Sequence, residues 1–412
     1  MKHYWQHWLF IVLFTLGTSN LAYGEVKISG YLKVDSIYDL DQKSGDRINY
    51  TQIDTDDQGY SDQQIRFHAR ESRVRITSTN QISDMPIKTV IEWDFFGSGS
   101  NSPTNSEVVT NSVTPGLRHA YIEVGNWLVG QAWSNYVDVK SFPENLDFSN
   151  DTGQAFLRQG QIRYSYQLGK FYLSHALENP ESDIVTTGLG AGTSVSQLDP
   201  LFDLTHRIIY QDEWGHVSLQ LVSRAIKAGV SPGAASALTE PYLETETELA
   251  HGVGVSGRIH LGDRQQLRFH FSHGKGLGRY IQESARYTGY LTETESGYDL
   301  ELLEAWGGYL GYQLRWSDSL RSNFNTGYVK VNWPDGSSDF LSAFKQPLKS
   351  YHSVHTNLIW SLSPETELGL EYSLAKRTDY LIRDNALTAQ DTLIDEQSGF
   401  VRRIQASMKY RF

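Results

Sequence analysis

Cysteine is missing from this chain of 412 residues, and methionine occurs only three times. The absence of thiols excludes a disulfide framework, a cysteine nucleophile and a thiolate metal site. The 13 histidines lack the spacing that metal ligands need, so we expect neither a metal nor a cofactor. No motif places a nucleophile beside a base and an orienting group, and we therefore expect that the chain is not an enzyme.

Long apolar runs are scarce as well, and the one near the start is too short to cross a membrane as a helix. It extends from Trp8 to Leu16, whereas a membrane-spanning helix needs about 20 apolar residues. With a lysine before it and small residues after it, the run predicts a signal peptide over residues 1–24, cleaved after Gly24. The formal charge of −12 at pH 7 argues against nucleic acid as a partner.

Aromatic residues and glycine are abundant, with 24 tyrosines, 17 phenylalanines, 10 tryptophans and 35 glycines. Polar and apolar residues alternate in sixteen segments, a period of two that is typical of β-strands. We place these segments near residues 25–39, 64–78, 85–96, 116–124, 126–133, 157–168, 170–178, 203–212, 215–225, 247–262, 264–273, 301–314, 318–330, 350–362, 365–376 and 400–412. A transmembrane barrel needs apolar residues only at every second position, so the pattern suits a barrel with a polar lumen.

The connections between these segments are alternately short and long. The short ones carry turn-forming residues, such as Gly125-Asn126, Gly169-Lys170 and Ser317-Asp318. The long ones are rich in Asp, Asn, Ser, Gly and Thr. Outer-membrane barrels place short turns on the periplasmic side and long loops on the extracellular side. The sequence therefore predicts an all-β protein, a transmembrane antiparallel β-barrel of about 16 strands, formed by a single domain over residues 25–412.

The last segment shows the alternation most clearly. Apolar residues occupy one face up to Phe412, and Arg403, Lys409 and Arg411 occupy the other. We assign these three basic residues to the lumen side, towards the periplasmic mouth. Tyr410 and the terminal Phe412 resemble the C-terminal signal by which bacterial assembly machinery recognises barrel chains.

Basic residues on other strands also alternate with apolar ones. A charged residue on the lipid face costs about 2–4 kcal/mol near the bilayer midplane, so these residues must point into the lumen. The predicted lining residues are Lys33, Arg73, Arg75 and Arg163. The period slips by one residue near Glu71-Ser72, which predicts a β-bulge in the second strand.

These basic residues have two interpretations that the strands alone do not separate. Acidic residues that could oppose them in the lumen are Asp35, Glu92, Asp94 and Glu123. In the first interpretation, an arginine pairs with one of these acids and only stabilises the barrel wall. For any single arginine this structural role is as good an explanation as a role in selectivity. As a group, however, the arginines suggest a basic ladder that attracts and orients anions.

Several short motifs in the first half of the chain occur in a characteristic order. They are Gly30–Asp39, Arg70–Arg73, Asp94–Gly99, Leu117–Tyr121, Asn126–Asn135, Leu146–Phe148, Arg158–Tyr164 and Leu177–Glu181. In this order they resemble the DcaP-like trimeric porins, a family linked to the uptake of dicarboxylic acids and other small anions. The resemblance implies a sixteen-stranded barrel, three per assembly, each with its own pore narrowed by a loop folded inward. Here that loop would be 134–156, flanked by Arg118, Arg158 and Arg163.

These observations predict a passive porin of the bacterial outer membrane, homotrimeric and in contact with outer-membrane lipids. We expect it to admit small polar solutes and to prefer small anions such as dicarboxylates. Two alternatives stay open. The pore could be non-selective or cation-preferring if the four lumen acids decide the charge of the ions that it admits. Alternatively, a plugged lumen could make the chain a structural or adhesive barrel.

Overall fold

The computed structural model of the chain describes residues 24–56, 63–97, 113–185, 194–231, 243–294, 297–333, 347–383 and 393–412. The predicted signal peptide lies outside these ranges except for Gly24. Within them, no helix is long and apolar enough to cross a membrane. The helical segments that the ranges contain are short 3-10 turns at Tyr50–Gln52, Val139–Ser141, Gly278–Tyr280 and Gln282–Ser284.

Sixteen strands of the described residues form one antiparallel sheet, and neighbouring strands in the sheet are neighbours in the chain. They are β1 (Glu25–Asp39), β2 (Gln64–His68 and Arg73–Ile82), β3 (Met85–Asp94), β4 (Gly116–Val124), β5 (Trp127–Trp133), β6 (Arg158–Leu168), β7 (Phe171–Glu178), β8 (Asp203–Asp212), β9 (Gly215–Ile226), β10 (Glu248–His260), β11 (Gln265–Lys275), β12 (Glu304–Arg315), β13 (Leu320–Asn332), β14 (Leu348–Ser361), β15 (Thr366–Arg383) and β16 (Leu393–Arg411).

The barrel closes between its first and last strands. β1 pairs with β16 in the register that sets Asp39 opposite Arg403, and its other edge pairs with both parts of β2. β2 is interrupted between His68 and Arg73, where its four residues stand against three of β1. The predicted barrel of sixteen antiparallel strands and the predicted bulge near Glu71-Ser72 are therefore confirmed.

Alternation sorts the side chains of the strands between two environments. Outward apolar residues such as Phe324, Leu358 and Met408 are 46–50% exposed, as expected of a surface that lipid covers. Inward residues such as Ser272 and Ser353 are polar and buried inside the barrel. Exposed aromatic residues mark the end of the barrel where the short turns lie: Trp127, Trp214, Trp316, Trp360 and Tyr410. Such a girdle marks a membrane interface.

The two ends of the barrel differ in their connections. The short turns lie at one end, here called the turn rim, and the longer connections lie at the opposite end, the loop rim. Ser83 and Asp84, between β2 and β3, have φ values of 48° and 67°. Two such residues in succession form the type of turn that matches the twist of a two-residue hairpin.

Short strands also occur within the long connections at the loop rim. They are Ile184–Val185, Ser194–Gln197, Ala228–Ser231, Leu243–Glu244, Gly289–Thr294 and Gly297–Leu302. The predicted ends of the last two barrel strands, at residues 376 and 400, are wrong. Residues on both sides of the 384–392 stretch continue the β15–β16 ladder, for example with Asp379 opposite Gln397. The apolar residues there, such as the adjacent Leu381 and Ile382, fall on both faces, so the sequence shows no alternation that would signal a strand.

The interior of the barrel is occupied on one side by residues 134–156, here called the inner loop. Tyr136 and Val137 of this loop are at most 1% exposed. They belong to one apolar cluster with Tyr280 and Ile281, which follow β11 at the loop rim. The hydrophobic core thus lies inside the barrel and holds the inner loop against part of its wall.

Candidate functional site

The inner loop starts and ends at one point of the wall, because the Ser134 N–H donates a hydrogen bond to the Leu157 carbonyl (3.1 Å). Between these residues it contacts the inward faces of β7–β16 and β1, here called the docked wall. The inward faces of β2–β6 form the remainder of the lumen and are here called the open wall.

Glu178, at the end of β7, holds the start of the inner loop. Its carboxylate accepts hydrogen bonds from the Ser134 hydroxyl (2.7 Å), the Asn135 N–H (2.7 Å) and the Thr205 hydroxyl (2.9 Å). Glu178 is fully buried, and a buried carboxylate is stable only when its oxygens have such donors. The loop therefore enters the barrel at a defined place on the docked wall.

Asp138 anchors the middle of the inner loop. Its side chain caps the Val139–Ser141 turn by accepting from the Lys140 N–H (3.1 Å). It also contacts His216 Nε2 (2.7 Å) and accepts from the Ser256 hydroxyl (2.9 Å), which lie on β9 and β10. One aspartate thus fixes both the conformation of the loop and its position on the docked wall.

Glu371 of β15 anchors the far side of the inner loop. It accepts the N–H groups of Leu146 (2.6 Å) and Asp147 (3.2 Å) and the side-chain amide of Asn357 (3.0 Å). The His355 ring nitrogen lies 3.2 Å from the same carboxylate. Backbone groups of the loop are therefore bound by the wall, and this binding does not depend on the loop's side chains.

Arg403 is a structural residue, and its predicted place in the basic lining towards the periplasmic mouth is wrong. Its guanidinium donates to both carboxylate oxygens of Asp39 (2.7 and 3.0 Å) and to Asp147 of the inner loop (2.7 Å). The side chain points inward but is fully buried. The inner loop covers it, so it cannot reach a solute.

Lys33 is also a structural residue and does not belong to the selectivity surface that was predicted to include it. Its ammonium is paired with Glu71 and Asp35 and donates to the Leu146 carbonyl of the inner loop (2.6 Å), and the side chain is 2% exposed. Asp35 is buried as well and accepts from Ser407 (2.5 Å). Both residues point inward as predicted, but they attach the loop to β1.

The open wall carries a cluster of arginines around one carboxylate. Glu92 is contacted by Arg73 (3.6 Å), Arg75 (2.6 Å) and Arg118 (2.9 Å). Arg118 also pairs with Asp94 (2.6 Å) and is 3% exposed, whereas Arg73 and Arg75 are 22% and 38% exposed. The two outer arginines therefore share one acid and remain open to the lumen.

Two further predicted residues lie on the last strand of the open wall. Arg158 and Arg163, both on β6, are partly exposed, and Arg163 makes a long contact with the Trp133 carbonyl (3.5 Å). The remaining predicted acid, Glu123, pairs with Lys88 (2.9 Å). The open wall thus carries five of the six predicted basic residues, and within the described residues the carboxylates that form ion pairs with them are Glu92 and Asp94.

An aromatic strip borders the same part of the lumen: Phe96, Trp133, Phe142, Phe148 and Phe156. Phe96 stacks on Phe148 with 4.4 Å between ring centroids, and Trp133 meets Phe156 at 4.8 Å. All five side chains are half-buried, so each retains some exposed ring surface. Three of the rings belong to the inner loop.

Arginines of the open wall pack against this strip. The Arg158 guanidinium lies 4.7 Å from the Trp133 ring centroid and 5.3 Å from that of Phe156. Arg118 lies 5.7 Å from the Phe148 ring. These cation–π contacts hold the guanidinium groups in place without neutralising their charge.

The sequence predictions missed the aromatic strip and two arginines of the docked wall. Arg207 and Arg268 donate to the inner-loop carbonyls of Val137 (2.5 Å) and Phe142 (2.6 Å), and both are partly exposed. The alternation of β8 and β11 places them on the inward face, so the signal used for Arg163 could have found them. The strip brings together residues from separate segments, which no local pattern reveals.

Two buried carboxyl groups lie where the inner loop meets the loop rim. Burial raises the pKa of Asp151 to about 6 and that of Glu283 to about 7. Glu283 accepts the Gly153 N–H (2.9 Å), and the Gln282 N–H donates to the Gln154 carbonyl (3.0 Å). The segment that follows β11 therefore holds the tip of the inner loop.

A cavity of about 550 Å³ lies beneath the inner loop at the turn rim. Its lining includes three arginines and three acidic residues: Arg268, Arg315, Arg321, Glu144, Asp318 and Glu367. Arg321 pairs with Glu144 at 2.6 Å and with Glu367 at 2.7 Å. Basic and acidic groups are balanced here, in contrast to the open wall.

The fold resembles solved outer-membrane proteins over nearly its whole length. The outer membrane channel DcaP of Acinetobacter baumannii shares 22% identity at a TM-score of 0.71, with 95% of this chain and 98% of that chain covered. An anion-selective porin from Comamonas acidovorans shares 11% identity at a TM-score of 0.54, covering 94% and 100%. OmpT of Vibrio cholerae in its trimer form shares 10% at 0.54, covering 95% and 100%.

Curated protein sequences contain no match to this chain. The family described as DcaP outer membrane protein matches residues 19–393, which is most of the sequence. This match confirms the family that the short motifs indicated, and the structural neighbours confirm the porin fold. The chain therefore belongs to the DcaP outer membrane protein family and is a porin of the bacterial outer membrane.

Proposed function

We propose that this porin conducts small anions, including dicarboxylates, through the space between the inner loop and the open wall. The observation that carries the proposal is the excess of arginines over carboxylates on the open wall. Arg73, Arg75, Arg118, Arg158 and Arg163 lie there, and within the described residues the carboxylates that pair with these five are Glu92 and Asp94. A lumen lined by one sign of charge concentrates ions of the opposite sign.

Unpaired donors support the same preference. Within the described part of the chain, Arg73 Nε and Arg158 Nη1 are buried atoms that lack a hydrogen-bond acceptor, and so is Arg207 Nε. A buried N–H without an acceptor costs free energy. These donors belong to arginines that are partly exposed, so a carboxylate that draws the guanidinium towards the lumen would supply the missing acceptor.

The inner loop would set the width of this path. Its backbone is bound to the docked wall by Glu178 and Glu371, and the side chain of its Asp138 binds His216 and Ser256 of that wall. We infer that residues 134–156 constrict the pore, with Arg73, Arg75, Arg158 and Arg163 as its selectivity surface. Arg118 would position Glu92 and Asp94 and have little direct contact with the solute.

We also propose that three copies assemble and that residues 1–24 are removed on export. Ile65 and Phe67 on β2 are each 76% exposed, and within the described residues their segment pairs with β1 alone. An exposed apolar edge of this kind suits a contact with a second copy. Tyr410 and Phe412 would act as the assembly signal, since they end the strand that closes the barrel.

Liposome swelling tests the proposed solute class. Proteoliposomes of the native porin should admit mono- and dicarboxylates faster than uncharged solutes of similar size. The double variant Arg73→Ala, Arg75→Ala should lose this advantage but still admit the uncharged solutes. A matched control, Lys170→Ala with Arg264→Ala in the turns, removes the same charge outside the lumen and should behave as the native porin.

Two outcomes would overturn the proposal. Faster entry of cationic than of anionic solutes would favour a cation-preferring pore governed by the lumen acids. No swelling with any small solute, in a sample shown to be folded, would favour a plugged barrel.

A further inference from the structure

The outward face of the barrel carries a group of basic residues near the loop rim, on β10, β11 and β13–β15. We call it the basic patch; it consists of His251, His273, Lys275, Lys330, His352 and Lys376. The strand register makes its members neighbours: His251 stands opposite Lys275, and His352 stands opposite Lys376. Lys275 and Lys376 are exposed, and Lys330 is half-buried.

The lysines of the basic patch are not neutralised by the protein. Lys275, Lys330 and Lys376 make no ion pair within the described residues, whereas the outward-facing Arg402 of β16 is paired with Asp41 (2.5 Å). Glu304 stands opposite Lys275, but its carboxylate contacts His273 (2.6 Å) and accepts from Asn332 (3.3 Å). The patch therefore retains positive charge that an external anion could neutralise.

A row of aromatic rings places the basic patch at the edge of the membrane. Phe271, Trp306 and Tyr328 follow one another across β11–β13, with centroid distances of 6.2 and 5.1 Å, and His352 continues the row at 6.3 Å. Exposed apolar residues such as Leu310 lie further towards the turn rim. Aromatic rows above an apolar band mark the level of lipid head groups.

The opposite side of the barrel lacks this combination. Near the loop rim, the exposed residues within β2, β4 and β8 are apolar, among them Phe67, Leu117 and Leu204. A charged collar that served only to keep the rim soluble would be expected around the whole circumference. The confinement of the lysines to one side indicates a partner on that side.

We propose that the basic patch binds the phosphate groups of anionic lipid head groups in the outer leaflet of the outer membrane. Ammonium groups at head-group level attract such phosphates, and the aromatic row packs against the adjoining part of the lipid. The patch lies outside the lumen, so this inference is independent of the proposed ion selectivity.

The test compares phosphorylated lipid A with its dephosphorylated form, each added in detergent micelles to the purified porin. Binding is measured by native mass spectrometry and by the rise in the temperature of unfolding. The triple variant Lys275→Gln, Lys330→Gln, Lys376→Gln should bind the phosphorylated lipid about ten- to a hundredfold more weakly than the native porin. The control variant Lys27→Gln, Lys170→Gln, Arg264→Gln removes the same charge at the turn rim and should bind as the native porin.

Three results would overturn the proposal. The first is equal binding of the phosphorylated and dephosphorylated lipids by the native porin, a comparison that needs no variant. The second is unchanged lipid binding by the triple variant. The third is a change in the mass of the assembly without a change in lipid binding, which would make the patch a contact between copies. Single-channel conductance should be native in the triple variant, because its three substitutions lie on the outward face of the barrel.

Discussion

On the docked wall, Arg403 is fully buried between Asp39 and Asp147, whereas on the open wall Arg75 keeps 38% of its side chain exposed beside Glu92. Both residues lie on inward faces of neighbouring parts of one barrel, and both have carboxylate partners. They differ in what covers them. The inner loop packs on Arg403 and leaves Arg75 open to the lumen.

This difference separates two uses of charge inside one lumen. Charges on the docked wall are matched to backbone N–H groups and carboxylates of the inner loop, as Glu371 and Glu178 are. A buried charge must be matched in this way, because leaving it unpaired is costly. Charges on the open wall exceed their partners and remain available to a solute. We therefore expect substitutions on the docked wall to change stability and substitutions on the open wall to change selectivity.

The largest effect on stability should come from Arg403→Met. The substitution leaves Asp39 and Asp147 buried without their cation, which should lower the free energy of unfolding by about 3–5 kcal/mol. Denaturant titration of the porin in lipid bilayers measures it. Arg402→Met is the matched control, since the neighbouring Arg402 points outward and is 45% exposed. If both variants lost the same stability, the distinction between buried and exposed charge would be wrong.

The attachment of the inner loop at the loop rim should make stability depend on pH. Because the pKa values of Asp151 and Glu283 are raised to about 6 and about 7, the folded protein holds protons that the unfolded chain has already released. Stability should therefore fall by about 3–6 kcal/mol as the pH rises from about 4, where the unfolded chain begins to release these protons, to about 7.

Glu283→Gln provides the check on that pH dependence. The variant should lose about half of it, because Asp151 keeps its own share, and should be more stable than the native porin at the high end of the range. Glu365→Gln, in an exposed turn, should keep the native profile. Native stability that rises with pH through the same range would have the wrong sign for this account.

Glu92→Gln and Glu371→Gln remove one negative charge from each wall. On the open wall, loss of Glu92 should strengthen the anion preference and cost about 1 kcal/mol of stability, because Arg118 keeps Asp94. On the docked wall, loss of the Glu371 charge should leave selectivity unchanged and loosen the inner loop. Single-channel recordings distinguish the two variants: Glu92→Gln should change the ion selectivity, and Glu371→Gln should increase the current noise. An equal shift of selectivity in both variants would remove the basis for separating the walls.

The smallest effect is expected for Phe148→Ala in the aromatic strip. The change removes the stacking on Phe96 and should cost about 0.5–1.5 kcal/mol of stability. Conductance should rise because the path widens, while the anion preference should remain because the arginines stay in place. Phe148→Leu retains a larger side chain, so its conductance should lie between those of the native porin and Phe148→Ala. An unchanged conductance in Phe148→Ala would place the ring outside the conducting path.

The alternation of polar and apolar residues within single strands was sufficient to predict the fold. In β16 it assigned the side chains from Arg403 to Arg411 to a face, and in β2 its failure near Glu71 located the bulge. The ends of β15 and β16 were missed because a strand that leaves the membrane no longer needs an apolar face.

The candidate site was less accessible to sequence reasoning. Alternation placed Lys33 and Arg403 in the lumen correctly but could not show that a loop more than 100 residues away would cover both. The resemblance to DcaP-like porins supplied the range of that loop, and its anchors on Glu178 and Glu371 depend on contacts between distant segments. Long-range burial, which decides whether a charge is structural or free, has no local signature.

The zero-current potential in a KCl gradient tests the central claim most directly. The native porin should show an anion-directed potential, Arg73→Ala with Arg75→Ala should reduce it strongly, and Lys170→Ala with Arg264→Ala should leave it unchanged. A cation-directed potential in the native porin, or the same potential in the open-wall variant as in the native porin, would contradict the account.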